Sequence, residues 1–217
     1  VSNHTLMMIL NSAKKFNQLE ANVKKGLWGD FAIAKPIHAV RGQTLGLLGC
    51  GRIARCLAVK AQVFGIKVIA YDPYIKPEAV KDFGVTLVSR EELLAQSDFI
   101  SMHLLLNEDT RKSINADFFK KMKNSAIFVN TARGGLVDED ALIEALRTGE
   151  IAGAALDVLT EEGIDKDAPL QKFDNVIITP HAAWYSEQAF YTLLTSAAQE
   201  VVRALHGEPV KNQVNHF

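Results

Sequence analysis

Leu45-Gly46-Leu47-Leu48-Gly49-Cys50-Gly51-Arg52-Ile53-Ala54 decides how the rest of the chain reads. Four apolar or small residues suit a buried strand, a Gly-x-Gly turn follows, and helical spacing begins at once. That spacing continues through Ala58, Ala61 and Phe64 to Gly65, and a second apolar run, Lys67 to Tyr71, ends in Asp72. Strand, glycine turn, helix, strand and terminal carboxylate is the layout of a dinucleotide-binding βαβ unit. Gly49 permits the tight turn, and Gly51 lets backbone approach a pyrophosphate. The helix N-terminus offers its N–H groups to the phosphates. Asp72 can accept from both adenine-ribose hydroxyls, while its charge opposes a 2′-phosphate, so NAD is expected rather than NADP. A glycine turn can also close a loop that binds nothing; the flanking strands and the carboxylate argue against that. Ala54 stands where a third glycine is common and needs only to be small.

The composition suits an ordinary soluble protein with a good core. Of 217 residues 48% are apolar, and the net charge is −1, so no basic excess points to nucleic acid. No apolar run is long enough to span a membrane. Cys50 and Cys56 lack metal-ligand or CxxC spacing and read as packing residues in a reducing compartment, with the cytoplasm as the expected location. The chain starts at Val1 rather than Met, so upstream sequence is expected.

In chain order, Ser2 or Asn3 can cap one helix bearing Leu6, Ile9, Leu10, Ala13, Phe16 and Leu19, with Gly26 past its end. His4, at the start of that helix, reads as a structural or interface residue. Further strands fit Val85–Val88, Asp98–His103, Ala126–Val129, Ile151–Leu156 and Val176–Thr179. The helices between them fit Pro77–Phe83, Glu91–Gln96 capped by Ser89, Ala116–Met122 and Asp138–Arg147, and a last one fits Glu187–His206. Alternating strands and helices predict an α/β fold with a doubly wound parallel sheet of Rossmann type, in the order 3-2-1-4-5-6 with the seventh strand at the edge. Ligands of such sheets lie at the carboxyl ends of the strands.

Three polar residues follow successive strands there: Arg133, Glu162 and His181. Reducing a 2-oxo acid needs a cation for its carboxylate and a proton donor for the forming alkoxide. Arg133 suits the first task, as a bidentate partner that also polarises the ketone. His181 suits the second, and Glu162 could fix its tautomer. Taken singly, each has a plainer reading: a surface ion pair, an acidic loop and a turn closed after Pro180.

Gly49-Cys50-Gly51-Arg52-Ile53-Ala54 with Tyr71-Asp72-Pro73, Asn130-Thr131-Ala132-Arg133-Gly134-Gly135-Leu136-Val137-Asp138, Ala155-Leu156-Asp157-Val158 and Thr179-Pro180-His181-Ala182-Ala183 resemble the D-isomer-specific 2-hydroxyacid dehydrogenases. The likeness covers nearly the whole chain. His181 to Ala189 is particularly similar to the C-terminal-binding-protein branch, whose animal members are NAD(H)-sensing corepressors. The resemblance implies an NAD-dependent oxidoreductase interconverting a 2-oxo acid and a D-2-hydroxy acid, or alternatively an NAD(H)-sensing regulatory protein. It assigns the catalytic roles to Arg133, Glu162 and His181. It assigns pyrophosphate contacts to Arg52 and Ile53, the ribose contact to Asp72, and the adenosine side to Leu104, Leu105 and Thr110. Thr131, Ala132 and Asp157 fall nearer the nicotinamide, although Asp157 can also be a loop cap and Arg52 a solvated helix residue.

Leu105 stands where many relatives have proline, and Gly163 replaces the proline that usually follows the glutamate. Residues 1–207 are expected to form the NAD-binding domain, and 208–217 a tail returning to a substrate domain that lies largely outside this chain. The resemblance further implies a small-acid substrate and a homodimer built on the first helix and the tail; no nucleic acid, membrane or metal is expected.

Overall fold

The structure is a computed structural model and describes residues 1–29, 32, 36–163, 165 and 167–211. The expected tail therefore runs, from residue 212, outside the described residues. The chain divides into two compact units, one from Val1 to Ala183 and one from Trp184 onward.

The first unit contains seven parallel strands: β1 (Thr44–Leu48), β2 (Lys67–Tyr71), β3 (Thr86–Leu87), β4 (Phe99–Met102), β5 (Ile127–Asn130), β6 (Gly153–Leu156) and β7 (Val176–Ile178). Their order is β3-β2-β1-β4-β5-β6-β7, as the strand and helix alternation predicts. The helices are α1 (Ser2–Lys14), α2 (Phe16–Lys24), α3 (Arg52–Val63), α4 (Arg90–Gln96), α5 (Ala116–Lys120) and α6 (Glu139–Thr148). Because side chains alternate along a strand, every strand but the two-residue β3 feeds two cores. Leu45 and Leu47 of β1 pack with Met8, Ile9, Leu57 and Ala61 under α1 and α3. Leu48 points the other way, to Leu93, Phe118, Phe128 and Leu142 under α4, α5 and α6. In the second core the rings of Phe118, Phe119 and Phe128 meet edge to face, with centroids 5.5–6.2 Å apart. Such pairs add about 1 kcal/mol each beyond area burial.

Several local expectations change. The first helix starts at Ser2 with no side-chain cap, because Ser2 Oγ and Asn3 Oδ1 instead each accept a bond from Lys60 Nζ of α3, at 2.7 Å. It also breaks at Lys15, whose φ of +50° is left-handed, so Phe16 and Leu19 belong to α2 and Phe16 is exposed. β3 shrinks to two residues at the sheet edge, and Pro77 to Phe83 forms two short 3-10 turns rather than a helix. Cys56 is exposed and is not a packing residue; Cys50 is buried. The cap at Ser89 is present as a full capping box with Glu92.

The second unit is built on α7 (Glu187–Leu205), where Ser186 Oγ accepts from Ala189 N. Trp184 and Tyr185 meet edge to face ahead of it. No helix among the described residues is long and apolar enough to cross a membrane.

Candidate active site

The carboxyl ends of the strands carry two differently built regions. At β1, Gly49 has a φ of +90°, and a Cβ there would come within 2.7 Å of the His103 carbonyl oxygen. Only glycine fits that turn without strain. At Gly51 a Cβ would meet nothing within 4 Å, so the backbone faces open space. α3 begins there with no side-chain cap, which leaves the first N–H groups of a 12-residue helix for an anion. Asp72 sits just past β2 and is held by the turn itself: Oδ2 accepts from Cys50 N at 2.9 Å and Oδ1 from Tyr74 N at 3.0 Å. Each oxygen keeps acceptor capacity beyond these bonds. Arg55 Nε donates to the Cys50 carbonyl at 2.9 Å and its guanidinium lies over Phe83, which stiffens the turn. Open backbone, an uncapped helix start and an oriented carboxylate fit the pyrophosphate and ribose of NAD.

Arg52 and Ile53 open α3, and both are exposed. After β4, Leu104 packs against the core while Leu105 is 81% exposed, an apolar surface beside the glycine turn. Thr110 is engaged by its own loop. Its hydroxyl donates to the Leu105 carbonyl at 2.6 Å, and its N–H donates to Asn107 Oδ1 at 2.9 Å. Thr110 therefore shapes the Leu105 loop.

The second region gathers the loops after β5, β6 and β7, which are neighbours in the sheet. Glu162 Oε1 lies 2.5 Å from His181 Nδ1, with the two side chains 65% and 38% exposed. The structure thus brings the acid and the imidazole together and leaves Nε2 for a reacting group. Arg133 is exposed at the neighbouring strand end; its Nη1 donates to the Ala132 carbonyl at 2.7 Å, and no bond joins it to Glu162 or His181. Its loop and the Glu162 loop pack tightly, since any Cβ at Gly134 would overlap the Leu159 carbonyl. A cavity of about 470 Å³ opens beside the dyad, walled by Val158, Leu170, Val176 and Ile178. That lies in the range typical of small-molecule sites.

Buried polar side chains hold these loops. Asn130 Oδ1 accepts from Ala132 N at 3.0 Å and Asn130 Nδ2 donates to the Arg133 carbonyl at 3.0 Å, so one asparagine sets the path of the arginine loop. Asp157, 2% exposed, performs the same task for the histidine loop. Oδ1 accepts from Ala182 N and Oδ2 from Ala183 N, both at 2.9 Å, and the Asp157 carbonyl accepts from His181 N at 2.8 Å. His181 itself sits at φ +53°, a left-handed conformation that costs a non-glycine residue about 1 kcal/mol or more. Of the two readings of Asp157, the bonds describe the loop cap. Thr131 is buried, its hydroxyl 2.9 Å from that of Thr5, and Ala132 is half-buried against the core.

Sequence reasoning did not single out Asn130 or Thr5, and left His103 as a strand residue. Asn130 carried a usable signal, because a bond from its side chain to the N–H two residues on is an Asx-turn. His103 follows β4 with Nε2 3.0 Å from Ser101 Oγ, and burial pushes its pKa down to about 4. It is neutral at pH 7. Among the described residues no cluster of three or more His, Cys, Asp or Glu is placed to hold a metal ion.

A doubly wound sheet with an open glycine turn, an oriented carboxylate after β2 and an acid–imidazole pair at its strand ends defines a dinucleotide-binding domain of Rossmann type. Residues 6–183 match the "D-isomer specific 2-hydroxyacid dehydrogenase, NAD binding domain", and the chain belongs to that family. It is 43% identical over 216 residues to a D-3-phosphoglycerate dehydrogenase of Methanocaldococcus jannaschii, covering 99% of this chain and 41% of that protein. It is 37% identical over 212 residues to a glyoxylate reductase of Korarchaeum cryptofilum, covering 96% and 63%. The chain thus spans less than two thirds of these relatives. Among solved structures, D-lactate dehydrogenase with NAD+ from Lactobacillus jensenii is similar with a TM-score of 0.88 and 31% identity, over 99% of this chain and 68% of that one. A glyoxylate reductase from Paecilomyes thermophila is similar with a TM-score of 0.90 and 31% identity, over 98% and 64%.

Proposed function

We propose that the protein containing this chain is an NAD-dependent oxidoreductase that interconverts a 2-oxo acid and a D-2-hydroxy acid, with Arg133, Glu162 and His181 as its catalytic residues. The observation that carries the reading is the Glu162–His181 pair at 2.5 Å, on the strand ends that adjoin the Arg133 loop. The hydride would be supplied by NADH, or taken up by NAD+, when the cofactor is bound. Arg133 pairs with the substrate carboxylate and polarises the 2-oxo group. His181 Nε2 gives its proton to the forming alkoxide, or takes it in the reverse direction, while Glu162 holds Nδ1–H and steadies the imidazolium. Arg52 and Ile53 would line the pyrophosphate, Asp72 would take the ribose hydroxyls, and Leu104, Leu105 and the loop shaped by Thr110 would line the adenosine. Thr131, Ala132 and Asp157 shape the nicotinamide end.

The names of the relatives narrow the substrate to acids of the size of glyoxylate, D-lactate or D-3-phosphoglycerate. The test is NADH oxidation by the full-length protein against glyoxylate, pyruvate and 3-phosphohydroxypyruvate, with chiral analysis of the latter two products. Turnover with at least one acid, and D products from the chiral cases, is expected. Measurable NADH binding with no turnover on any acid would favour a regulatory protein instead.

The chain as it stands is proposed to bind NADH but turn over poorly; calorimetry with no binding heat would refute the first part. A homodimer is proposed from the exposed Phe16, Val23 and Trp28 on and after α2, in a cytoplasmic protein. Sedimentation as a monomer at all concentrations would refute the dimer.

A further inference from the structure

The first turn of α1 reaches both loops of the second region with two consecutive residues. Thr5 meets Thr131, which begins the arginine loop, and its hydroxyl also donates to the Val1 carbonyl at 3.1 Å. Next to it, His4 Nε2 lies 2.9 Å from Thr179 Oγ1 and 3.5 Å from Asp157 Oδ1. The Thr179 hydroxyl donates to Asp157 Oδ1 at 2.5 Å, so its lone pair accepts from His4 and the proton of His4 sits on Nε2. The chain of bonds therefore runs from His4 through Thr179 to Asp157, and from Asp157 to the backbone at 181, 182 and 183.

We infer that His4 is a positioning residue for His181: through Thr179 it orients the buried carboxylate that holds the histidine loop in its left-handed turn. The inference rests on the proposed proton-transfer role of His181. Three features of the site give it weight. The His181 backbone conformation is unfavourable for a side-chain-bearing residue and depends on surrounding bonds to persist. The Asp157 carboxylate is buried, so a partner lost on one oxygen is not replaced by bulk water. Finally, α1 is packed on β5 and β6, the strands that carry the Arg133 and Glu162 loops, so the bracket is anchored at both ends.

The expected effect follows from geometry. A catalytic group displaced by a fraction of an ångström loses rate while cofactor contacts elsewhere persist. In the full-length protein, His4→Phe should lower kcat about tenfold or more while the Kd for NADH changes less than about twofold. His4→Gln keeps a donor near the position of Nε2 and should restore most of the rate. Thr179→Val should reproduce His4→Phe, and Thr179→Ser should not. A role confined to helix stability would lower Tm without this pattern of loss and rescue.

A second readout needs no turnover. The Ala182 and Ala183 amides donate to Asp157, so their hydrogen exchange should accelerate in His4→Phe and return toward wild type in His4→Gln. Unchanged exchange at both amides, or a kcat for His4→Phe equal to wild type, would overturn the role of His4. Wild-type protein without turnover on any 2-oxo acid would instead overturn the reaction assigned to His181.

Discussion

The two ends of the crevice are made of different materials. At the β1–α3 turn the proposed cofactor surface is backbone: Gly49 and Gly51, an uncapped helix start and one carboxylate held by two N–H groups. At the ends of β5, β6 and β7 it is side chains on loops, held in place by the buried Asn130 and Asp157. Backbone at a turn is ordered by the fold and needs little further support. Side chains that must meet a reacting atom need a second layer of bonds to fix them. The difference teaches that cofactor binding and proton transfer should fail separately.

The largest separation is expected at His181. His181→Ala in the full-length protein should lower kcat about 10²- to 10⁴-fold, the range for losing a general acid–base group, with NADH still bound. At the opposite end, Asp72→Ala removes acceptors for the ribose and for Cys50 N. It should raise the Kd for NADH about ten- to a hundredfold and narrow the preference over NADPH, as titration with both cofactors would measure. Gly49→Ala places a Cβ against the His103 carbonyl at a positive φ. A loss of about 1–3 kcal/mol of stability in urea titration, together with weaker NADH binding, is expected. Ser89→Ala, outside the loops after β5, β6 and β7, should cost about 1 kcal/mol through its helix cap and leave the hydride-transfer rate of the bound cofactor unchanged.

The last effect is confined to acid pH and concerns His103, which lies beside the turn. Burial holds its folded-state pKa at about 4, below the ordinary 6.5, so as pH falls the unfolded chain takes up this proton first. Its penalty is nil above about pH 6.5 and grows as pH falls toward about 4, so stability declines across that window. His103→Gln should flatten the slope of unfolding free energy against pH there; an unchanged slope would place the cause elsewhere.

The backbone end was legible from a single stretch, because glycine spacing, strand periodicity and Asp72 lie within thirty residues of one another. Strand order followed from alternation alone. The acid–imidazole pair was legible as chemistry placed at strand ends. The break at Lys15 was not, since a left-handed lysine leaves no compositional mark. The supports of the second region were the hardest to see. His4 and Thr179 are 175 residues apart, Thr5 and Thr131 are 126 apart, and each is unremarkable beside its own neighbours in sequence. Asp157 was read with two roles open, and only its bonding to the 181–183 backbone favours the loop cap.

In the proposed division of labour the glycine turn holds the cofactor while the dyad moves the proton. That division is tested most directly by measuring NADH affinity and single-turnover NADH oxidation on the same preparation of full-length His181→Ala. The account predicts a Kd within about twofold of wild type and a hydride-transfer step slowed by at least about 10²-fold. A wild-type rate in that variant, or loss of NADH binding along with the rate, would contradict it.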